Sequence, residues 1–278
     1  MIPVSVIVVT KNEERNITRC LQSLTDFSEV LVVDSHSSDK TALMVTACGA
    51  KLISFQWNGA YPKKRQWCLD NLELHHDWVF FVDADETITL ELKNEIAAAI
   101  KEDNPYAGYF VTGRYLINGR ILRFGQPNKK IALLHRRRMC FPLVDDLDIP
   151  GMGEIEGHYQ PVRCRGQENL FIGTLKHFLV HDALTDERAW AFRHEKYARW
   201  EAGMNQKDVW PVDPISWRQK LKTALRRHVL RPHLMFLGIY IGCLGFLDGM
   251  EGLKFAIRRY QYYSLIQEKQ KMLKTMNV

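Results

Sequence analysis

The first 83 residues alternate short apolar runs with stretches of mixed polarity. The apolar runs are rich in β-branched residues, which is typical of strands that are buried on both faces of a sheet. They predict strands at residues 4–10, 29–34, 51–55 and 78–83.

The segments between these runs have helical periodicity, with apolar residues three and four positions apart on one face. Asn12 is expected to cap the first helix, because Glu13 and Glu14 follow in its first turn. Asp39 is expected to open a second helix, and another begins near Leu90. This alternation predicts an α/β fold, with a mostly parallel sheet that carries helices on both faces.

The pattern changes after about residue 106. Residues 109–112 and 131–134 read as short strands between turns that are rich in Gly and Arg, and the pattern becomes helical from Thr185. We therefore expect a domain at residues 1–184 and a helical C-terminal region at residues 185–278.

The C-terminal region contains a basic amphipathic helix. Its apolar face is formed by Trp217, Leu221, Ala224, Leu225 and Val229, and most of its Lys and Arg residues lie off that face. This pattern is typical of a helix that lies in a membrane interface. Residues 234–247 carry no charge, but they are fewer than the ~18 that a spanning helix needs. We expect an interfacial or re-entrant hairpin here, with an ordinary buried helix pair as the alternative.

The net charge of +6 is unevenly distributed. Residues 213–278 hold 12 Lys and Arg against 4 Asp and Glu, a net charge of +8, and the rest of the chain carries −2. This asymmetry predicts an anionic partner, either a membrane surface or nucleic acid, unless the basic helix is simply solvated. The six cysteines form no Cys-x-x-Cys pair, and Met1-Ile2-Pro3 leads directly into the first apolar run, so we expect no signal peptide. Both features indicate a cytosolic protein with reduced cysteines.

Two carboxylates follow the fourth predicted strand, in the triplet Asp83-Ala84-Asp85. Residues i and i+2 of a strand point to the same side, and like charges held side by side repel unless a cation lies between them. Mg²⁺ or Mn²⁺ takes such oxygen ligands together with phosphate oxygens. The triplet therefore indicates a metal–diphosphate site. The alternative is a turn with a helix cap, because Glu86 and Thr87 follow.

Thr10 and Asp34 also end predicted strands, at the edge where ligands of parallel sheets bind. The turn after the first strand, Thr-Lys-Asn-Glu-Glu-Arg at residues 10–15, contains no glycine. A dinucleotide fold or a P-loop requires a Gly-rich turn there, so both are excluded. Asp34 is placed to accept a hydrogen bond from a base or ribose, or else to cap the turn that follows it.

Three N-terminal segments together resemble the family 2 glycosyltransferases: residues 3–13, 32–39 and 83–86. Ser35 stands where many members carry a second Asp. Residues 245–252 are similar to a C-terminal stretch of the bacterial lipopolysaccharide-core and exopolysaccharide glucosyltransferases, the subgroup that the chain resembles most. The resemblance implies a GT-A fold, a nucleotide-sugar donor and inversion at the anomeric carbon.

The resemblance also implies roles for single residues. Thr10, Asn12 and Glu13 would line the nucleotide pocket, and Asp34 would contact the base, usually uracil. Asp83 would face the ribose or the donor sugar and belong to the catalytic set.

The same resemblance places the diphosphate and its metal. Asp85 would bind Mg²⁺ or Mn²⁺, and His181 would complete the metal shell or bind the diphosphate. Arg65 matches a basic position that would contact the diphosphate, with a helix-surface charge as the alternative.

The chemistry also requires a base that takes the proton of the acceptor hydroxyl. Asp145, Asp146 and Asp148 are candidates in the middle of the chain, but Glu154 and Glu156 share one face of a short Gly-bounded segment. We expect Glu156 to be the base, with Glu154 as the alternative.

These features predict a metal-dependent transferase that moves a hexose, glucose by expectation, from a UDP-sugar to a lipid-linked, lipopolysaccharide or exopolysaccharide acceptor. It would lie in the cytoplasm on the anionic inner face of the cell membrane, and no nucleic acid partner is expected. One alternative is a sugar-phosphate nucleotidyltransferase, although residues 10–15 lack the Gly-rich, Arg-containing loop that it needs. The other is a non-catalytic membrane or nucleic-acid binding protein on a transferase scaffold, against which the intact Asp83/Asp85 pair argues.

Overall fold

One large mixed sheet forms the centre of the molecule, in a computed structural model that describes residues 1–101, 104–149, 159–182 and 187–276. Within these residues the strands of the sheet follow the order β3-β2-β1-β4-β8-β6-β11-β5, with β7 paired to β6 and a separate β9–β10 pair. The strands are β1 (Ile2–Thr10), β2 (Phe27–Asp34), β3 (Lys51–Ser54), β4 (Trp78–Asp83), β5 (Glu86–Ile88), β6 (Tyr106–Ile117), β7 (Arg120–Ile121), β8 (Asn128–His135), β9 (Met139–Cys140), β10 (Val162–Arg163) and β11 (Phe171–His181).

The α/β prediction is confirmed, and the first four predicted strands are β1 to β4. These four strands run parallel to one another, with β1 between β2 and β4. Beyond β4 the sheet continues through the antiparallel strand β8 into β6, and β11 then runs parallel to β6. The strands predicted at 109–112 and 131–134 lie inside the longer β6 and β8.

Helices cover both faces of the sheet. The side chains of β1 alternate, so that Val6 and Val8 enter one apolar cluster while Ile7 enters the other. Trp200 and Met204 of the fifth helix lie in the same cluster as Ile7. The helices are α1 (Ile17–Gln22), α2 (Thr41–Ala47), α3 (Lys64–Asn71), α4 (Leu90–Ala99), α5 (Glu187–Lys207), α6 (Ser216–Arg227), α7 (Arg231–Leu237) and α8 (Gly249–Met276).

The prediction that Asn12 caps the first helix is wrong. The helix begins at Ile17, and Asn12 has a positive φ of 57°. Its side-chain oxygen instead accepts a hydrogen bond from the backbone N–H of Ser38 at 2.7 Å. Asn tolerates this left-handed backbone conformation because its short polar side chain forms hydrogen bonds locally.

The C-terminal helices pack on α5 and on each other. A π-helical turn (Gly238–Gly242) and a 3₁₀ turn (Gly245–Asp248) separate α7 from α8. A buried ion pair joins Arg231 of α7 to Glu201 of α5, and Tyr262 of α8 donates to the same carboxylate at 3.0 Å. The proposed division at residues 184 and 185 stays a prediction.

No single helix among the described residues has both the length and the apolar character needed to cross a bilayer. One bent pair, Arg231–Gly242 with Gly245–Thr275, meets the requirement by length and composition alone, with an angle of 68° between its halves.

A buried ion pair ties the start of α3 to the segment that follows β9. The Lys63 ammonium lies 2.6 Å from the Asp146 carboxylate, which also accepts a hydrogen bond from the Trp200 indole at 2.8 Å. Both members of the pair are almost fully shielded from solvent. Because removal of one partner leaves a buried charge uncompensated, this pair is a strong structural constraint.

Replacement of Asp146 by Ala should lower the free energy of unfolding by about 3–5 kcal/mol, because the Lys63 charge would stay buried without its partner. Urea unfolding followed by circular dichroism measures the change. Asp145→Ala is the matched control, since Asp145 forms an exposed pair with Lys207 and its loss should cost less than about 1 kcal/mol. Similar losses in both variants would contradict a special role for the buried pair.

Candidate active site

Three strand ends meet at one edge of the sheet. In the parallel register Thr10 of β1 lies opposite Asp34 of β2, and Val9 lies opposite Asp83 of β4. The sheet therefore brings together the side chains that the sequence places at the ends of separate strands.

Two buried hydroxyls lie at this edge without a hydrogen-bond partner in the part of the chain that the structure describes. They belong to Thr10 and Ser35, each only 3% exposed. Ser35 directly follows Asp34, and its backbone N–H donates to the Thr10 carbonyl at 3.1 Å. Because a buried polar group without a partner is costly, these hydroxyls are suited to meet a polar ligand.

Asp34 shapes the loop beside these hydroxyls. Its carboxylate accepts two hydrogen bonds from Ser37, one from the backbone N–H at 2.8 Å and one from the side-chain hydroxyl at 2.5 Å. Ser37 in turn accepts a hydrogen bond from the backbone N–H of Asn12 at 2.7 Å. The turn-capping alternative for Asp34 is thus observed, and Ser37, which the carboxylate holds, links the loops after β1 and β2.

Glu13 lies on the loop after β1, near the acidic end of β4. Its carboxylate accepts a hydrogen bond from the side-chain amide of Asn16 at 2.8 Å. Burial and the charge of Asp85 raise the pKa of Glu13 to about 7. The group is therefore partly protonated near neutrality, so it changes charge readily when a ligand arrives.

Asp83 is held by two cations. The Arg65 guanidinium donates to one carboxylate oxygen at 2.7 Å, and the Lys130 ammonium donates to the other. Burial opposes ionisation of Asp83, but Lys130 and Arg65 outweigh it and hold its pKa well below the usual range. Arg65 is itself mostly buried, so the interpretation of a helix-surface charge is wrong.

Lys130 is a residue of this site that the sequence analysis missed. It lies on β8 and also donates to Glu86, which is fully buried, at 2.9 Å. Burial raises the pKa of Glu86, and the charge of Asp83 adds to the effect against the attraction of Lys130. One signal was available in the sequence, since a Lys directly before a buried apolar strand needs an anionic partner.

Asp85 faces His181 at the end of β11. The imidazole Nε2 lies 3.3 Å from the Asp85 carboxylate, and the ring stacks on Tyr115 with centroids 5.3 Å apart. Burial disfavours the charged imidazole, but Asp85 outweighs it and raises the pKa of His181 to about 9. The same ion pair lowers the pKa of Asp85 against the opposing effect of burial.

The Asp85–His181 pair fits a divalent cation better than Asp83 does. Two ligand atoms about 2.1 Å from one octahedral ion lie ~3 Å apart, close to the 3.3 Å between His181 Nε2 and Asp85 Oδ2. Both oxygens of Asp83 are already engaged by cations. No cluster of three or more His, Cys, Asp or Glu side chains suited to a metal occurs among the described residues. The remaining ligands of an ion here would be water or phosphate oxygens.

The two expected bases, Glu154 and Glu156, lie outside the described residues. Of the other candidates, Asp146 is buried against Lys63, and Asp145 and Asp148 both pair with Lys207 on the surface. The structure thus assigns these three aspartates to ion pairs with lysines.

Comparison with known proteins agrees with the geometry of this edge. The family model described as Glycosyl transferase family 2 matches residues 5–165. The lipopolysaccharide core biosynthesis glycosyltransferase LpsC of Rhizobium meliloti is 29% identical, over 95% of this chain and 94% of its own.

Uncharacterized glycosyltransferases of Rickettsia are similar over a shorter region. The protein of Rickettsia bellii is 34% identical over 36% of this chain, and that of Rickettsia typhi is 32% identical over 50%. The matches span only 34% and 48% of the lengths of these two relatives.

Among solved structures, a mannosyltransferase of Pyrobaculum calidifontis, in complex with GDP-Man and Mn²⁺, has the same fold. The TM-score is 0.53 at 14% identity, over 96% of this chain and 86% of the other. The expected GT-A fold is confirmed.

Replacement of Lys130 by Met should lower the free energy of unfolding by about 3–5 kcal/mol, because Glu86 and Asp83 would lose the cation that offsets their buried charge. Chemical denaturation at neutral pH measures the change. Lys129→Met is the matched control, because Lys129 is the neighbouring residue on β8 and packs over the Phe110 ring. If both variants unfold at the same denaturant concentration, Lys130 does not compensate the acidic cluster.

Proposed function

The chain belongs to glycosyl transferase family 2, and we propose that it transfers a hexose from a UDP-sugar, with inversion and with Mg²⁺ or Mn²⁺, to a lipopolysaccharide-type or lipid-linked acceptor. One observation carries the proposal: the Asp85–His181 pair lies at the sheet edge that also holds the hydroxyls of Thr10 and Ser35, which have no hydrogen-bond partner among the described residues. A nucleoside diphosphate has a polar base and an anionic diphosphate, which match these two parts of the edge.

The nucleoside would bind at the ends of β1 and β2. Thr10 and Ser35 would supply hydroxyls to the base or ribose, and Asp34 would fix the loop that surrounds them through Ser37. Asn12 and Glu13 lie on the facing loop, tied to the β2–α2 segment through Ser37 and Thr41. This preformed arrangement reduces the ordering that donor binding requires.

Asp85 and His181 would hold the divalent cation, which when bound offsets the charge that develops on the departing diphosphate. Asp83 is fixed by Arg65 and Lys130, which engage both of its carboxylate oxygens, so it would form a rigid wall beside the donor. The two cations also allow three carboxylates to coexist at one strand end. On the acceptor side, Glu156, or else Glu154, would take the proton from the attacking hydroxyl.

The acceptor class is supported by likeness to LpsC along nearly the whole chain. We further propose that the protein works at the inner face of the cell membrane, where a lipid-linked acceptor is exposed to a cytoplasmic donor. The basic C-terminal region supports this placement, because anionic lipids attract Lys and Arg.

The direct test is donor turnover with a panel of UDP-sugars and GDP-mannose, in the presence of lipid extract and with Mn²⁺, Mg²⁺ or EDTA. We expect turnover of a UDP-sugar that EDTA abolishes, and an inverted anomeric configuration by NMR. Asp85→Asn should reduce turnover at least about 100-fold, because it removes a ligand that stabilises developing charge. Asp77→Asn is the control at the opposite end of β4. Equal activity with EDTA would exclude the metal role.

Replacement of Thr10 by Val should have opposite effects on folding and binding. The change keeps the shape of the side chain but removes a buried hydroxyl without a partner, so stability should be unchanged or higher. Affinity for UDP should fall about 3- to 10-fold, because one ligand hydrogen bond is lost. Calorimetry of UDP binding and thermal unfolding measure the two effects. Thr46→Val, on the exposed side of α2, should change neither, and unchanged UDP affinity in Thr10→Val would remove Thr10 from the donor site.

A further inference from the structure

Helix α6 is turned with its apolar face outward. Trp217 and Leu221, one turn apart, are 66% and 51% exposed, and Ala224 is exposed beside them. In a helix that packs on a soluble core, this face would be buried and the charged face would meet solvent. The observed orientation is the reverse.

Three basic side chains of α6 face the molecule instead, while Lys220 is exposed. Lys222 donates to the Asp213 carboxylate at 2.6 Å, and Arg218 lies 3.6 Å from the same carboxylate. The Arg226 guanidinium lies over the Trp210 ring at 3.6 Å. These contacts fix the rotation of the helix about its axis, so the exposure of Trp217 and Leu221 is a built feature of the fold.

Exposed apolar side chains also occur in the elements that follow α6. Leu230, Leu234, Leu237 and Ile241 follow one another at steps of four, three and four residues, the spacing of a single helix face, and each is between 40% and 57% exposed. The turns that lead into α8 add further exposed side chains. We call the whole set the apolar ridge: Trp217, Leu221, Val229, Leu230, Leu234, Leu237, Ile241, Leu244, Phe246, Leu247 and Met250.

We propose that the apolar ridge docks the protein on an anionic bilayer, with α6 and α7 lying in the plane of the interface. Residues 213–278 carry a net charge of +8, and Arg218, Lys222 and Arg231 within them pair with carboxylates of the protein itself. Lys220, Lys271 and Lys274 are exposed, so positive charge remains for lipid phosphates and would not favour a second copy of this segment. Trp217 is a residue type that favours the level of the headgroups. Together the ridge and the charge provide the two kinds of attraction that hold interfacial helices on membranes.

Direct contacts join the elements that carry the ridge to the candidate site. Asp248, in the 3₁₀ turn, accepts hydrogen bonds from the backbone N–H groups of Arg123 and Phe124 at 3.0 and 2.8 Å. Phe255 of α8 packs on Tyr115, with ring centroids 4.8 Å apart, and Tyr115 stacks on His181. A docked ridge would therefore hold the end of β11 at a fixed height above the lipid.

A cavity of about 100 Å³ lies along this connection, lined in part by Arg114, Tyr115, Arg123 and Gln126. It lies between the loop that Asp248 holds and the ring that stacks on His181. Its volume is below the ~300 Å³ of pockets that hold drug-sized ligands, so no acceptor path is assigned to it. The inference rests on the proposed function only in naming a lipid-linked acceptor; the docking surface stands on the exposed ridge itself.

The experiment measures flotation of the full-length protein with two kinds of vesicle. One is pure phosphatidylcholine, and the other contains about 30% phosphatidylglycerol to imitate an anionic leaflet. We expect binding to the anionic vesicles that weakens as salt is raised. Trp217→Ser/Leu221→Ser and, separately, Leu234→Ser/Leu237→Ser should each lower the partition coefficient at least about tenfold. Leu43→Ser/Leu90→Ser is the matched control, because both side chains are highly exposed elsewhere, and it should float like the wild type.

Depth is measured with brominated lipid. Trp217→Phe keeps an aromatic side chain, so it should still float but lose part of the tryptophan quenching seen for the wild type. No flotation of the wild type, equal flotation with neutral vesicles, or equal flotation of the ridge variants would each overturn the proposal. A wild-type dimer by light scattering that the ridge variants dissociate would also overturn it, since the occupant would be a second copy.

Donor hydrolysis in lipid-free buffer separates this proposal from the proposed function. The ridge variants should hydrolyse the UDP-sugar at the wild-type rate, and Asp85→Asn should float normally without turnover. Flotation without turnover of any donor would refute only the proposed function, and turnover without flotation would refute only the docking surface.

Discussion

The compensation of buried negative charge at the end of β4 is the constraint on which the candidate site depends. Asp83, Asp85 and Glu86 lie within four residues, and their neighbours neutralise them with Arg65, Lys130 and His181. These cations come from α3, β8 and β11, so three separate elements must reach one point before the acids are tolerated. A cluster that requires this arrangement also constrains β8, which pairs with β4, and β11, which lies beyond β6 in the sheet.

The same arrangement separates the roles of the two aspartates that the sequence places side by side. Asp83 is saturated by two cations and acts as a fixed part of the wall. Asp85 faces an imidazole at a separation that suits a shared ion. The difference arises because Ala84 lies between them and the chain turns into β5, so that the two carboxylates meet different elements.

The C-terminal helices add a second layer of organisation. They bury an ion pair between Glu201 and Arg231 and aromatic contacts among α5, α7 and α8, and they leave the apolar side chains of the ridge exposed. Phe255 of α8 contacts Tyr115, which stacks on His181 of the candidate site. The C-terminal helices are thus in direct contact with the element that carries His181.

The sequence by itself determined β1 to β4, the helices between them and the meeting of Thr10, Asp34 and Asp83 at one edge. This was possible because runs of apolar residues predict buried strands, and the carboxyl ends of parallel strands lie at the same edge of a sheet. Local pattern also identified Asp85 and the amphipathic character of residues 217–229. His181 was identified only through the family resemblance.

Only the tertiary structure decided which charges meet. Lys130 lies 47 residues from Asp83 along the chain, and its place before a buried apolar run predicts an anionic partner without saying which carboxylate it is. Asp146 looked like a candidate base until its contact with Lys63 appeared, and Asn12 looked like a helix cap until its backbone proved to be left-handed. The rotation of α6 about its axis was also decided by the tertiary structure. Periodicity defines two faces of a helix, but the contacts of Arg218, Lys222 and Arg226 with the domain decide which face is exposed.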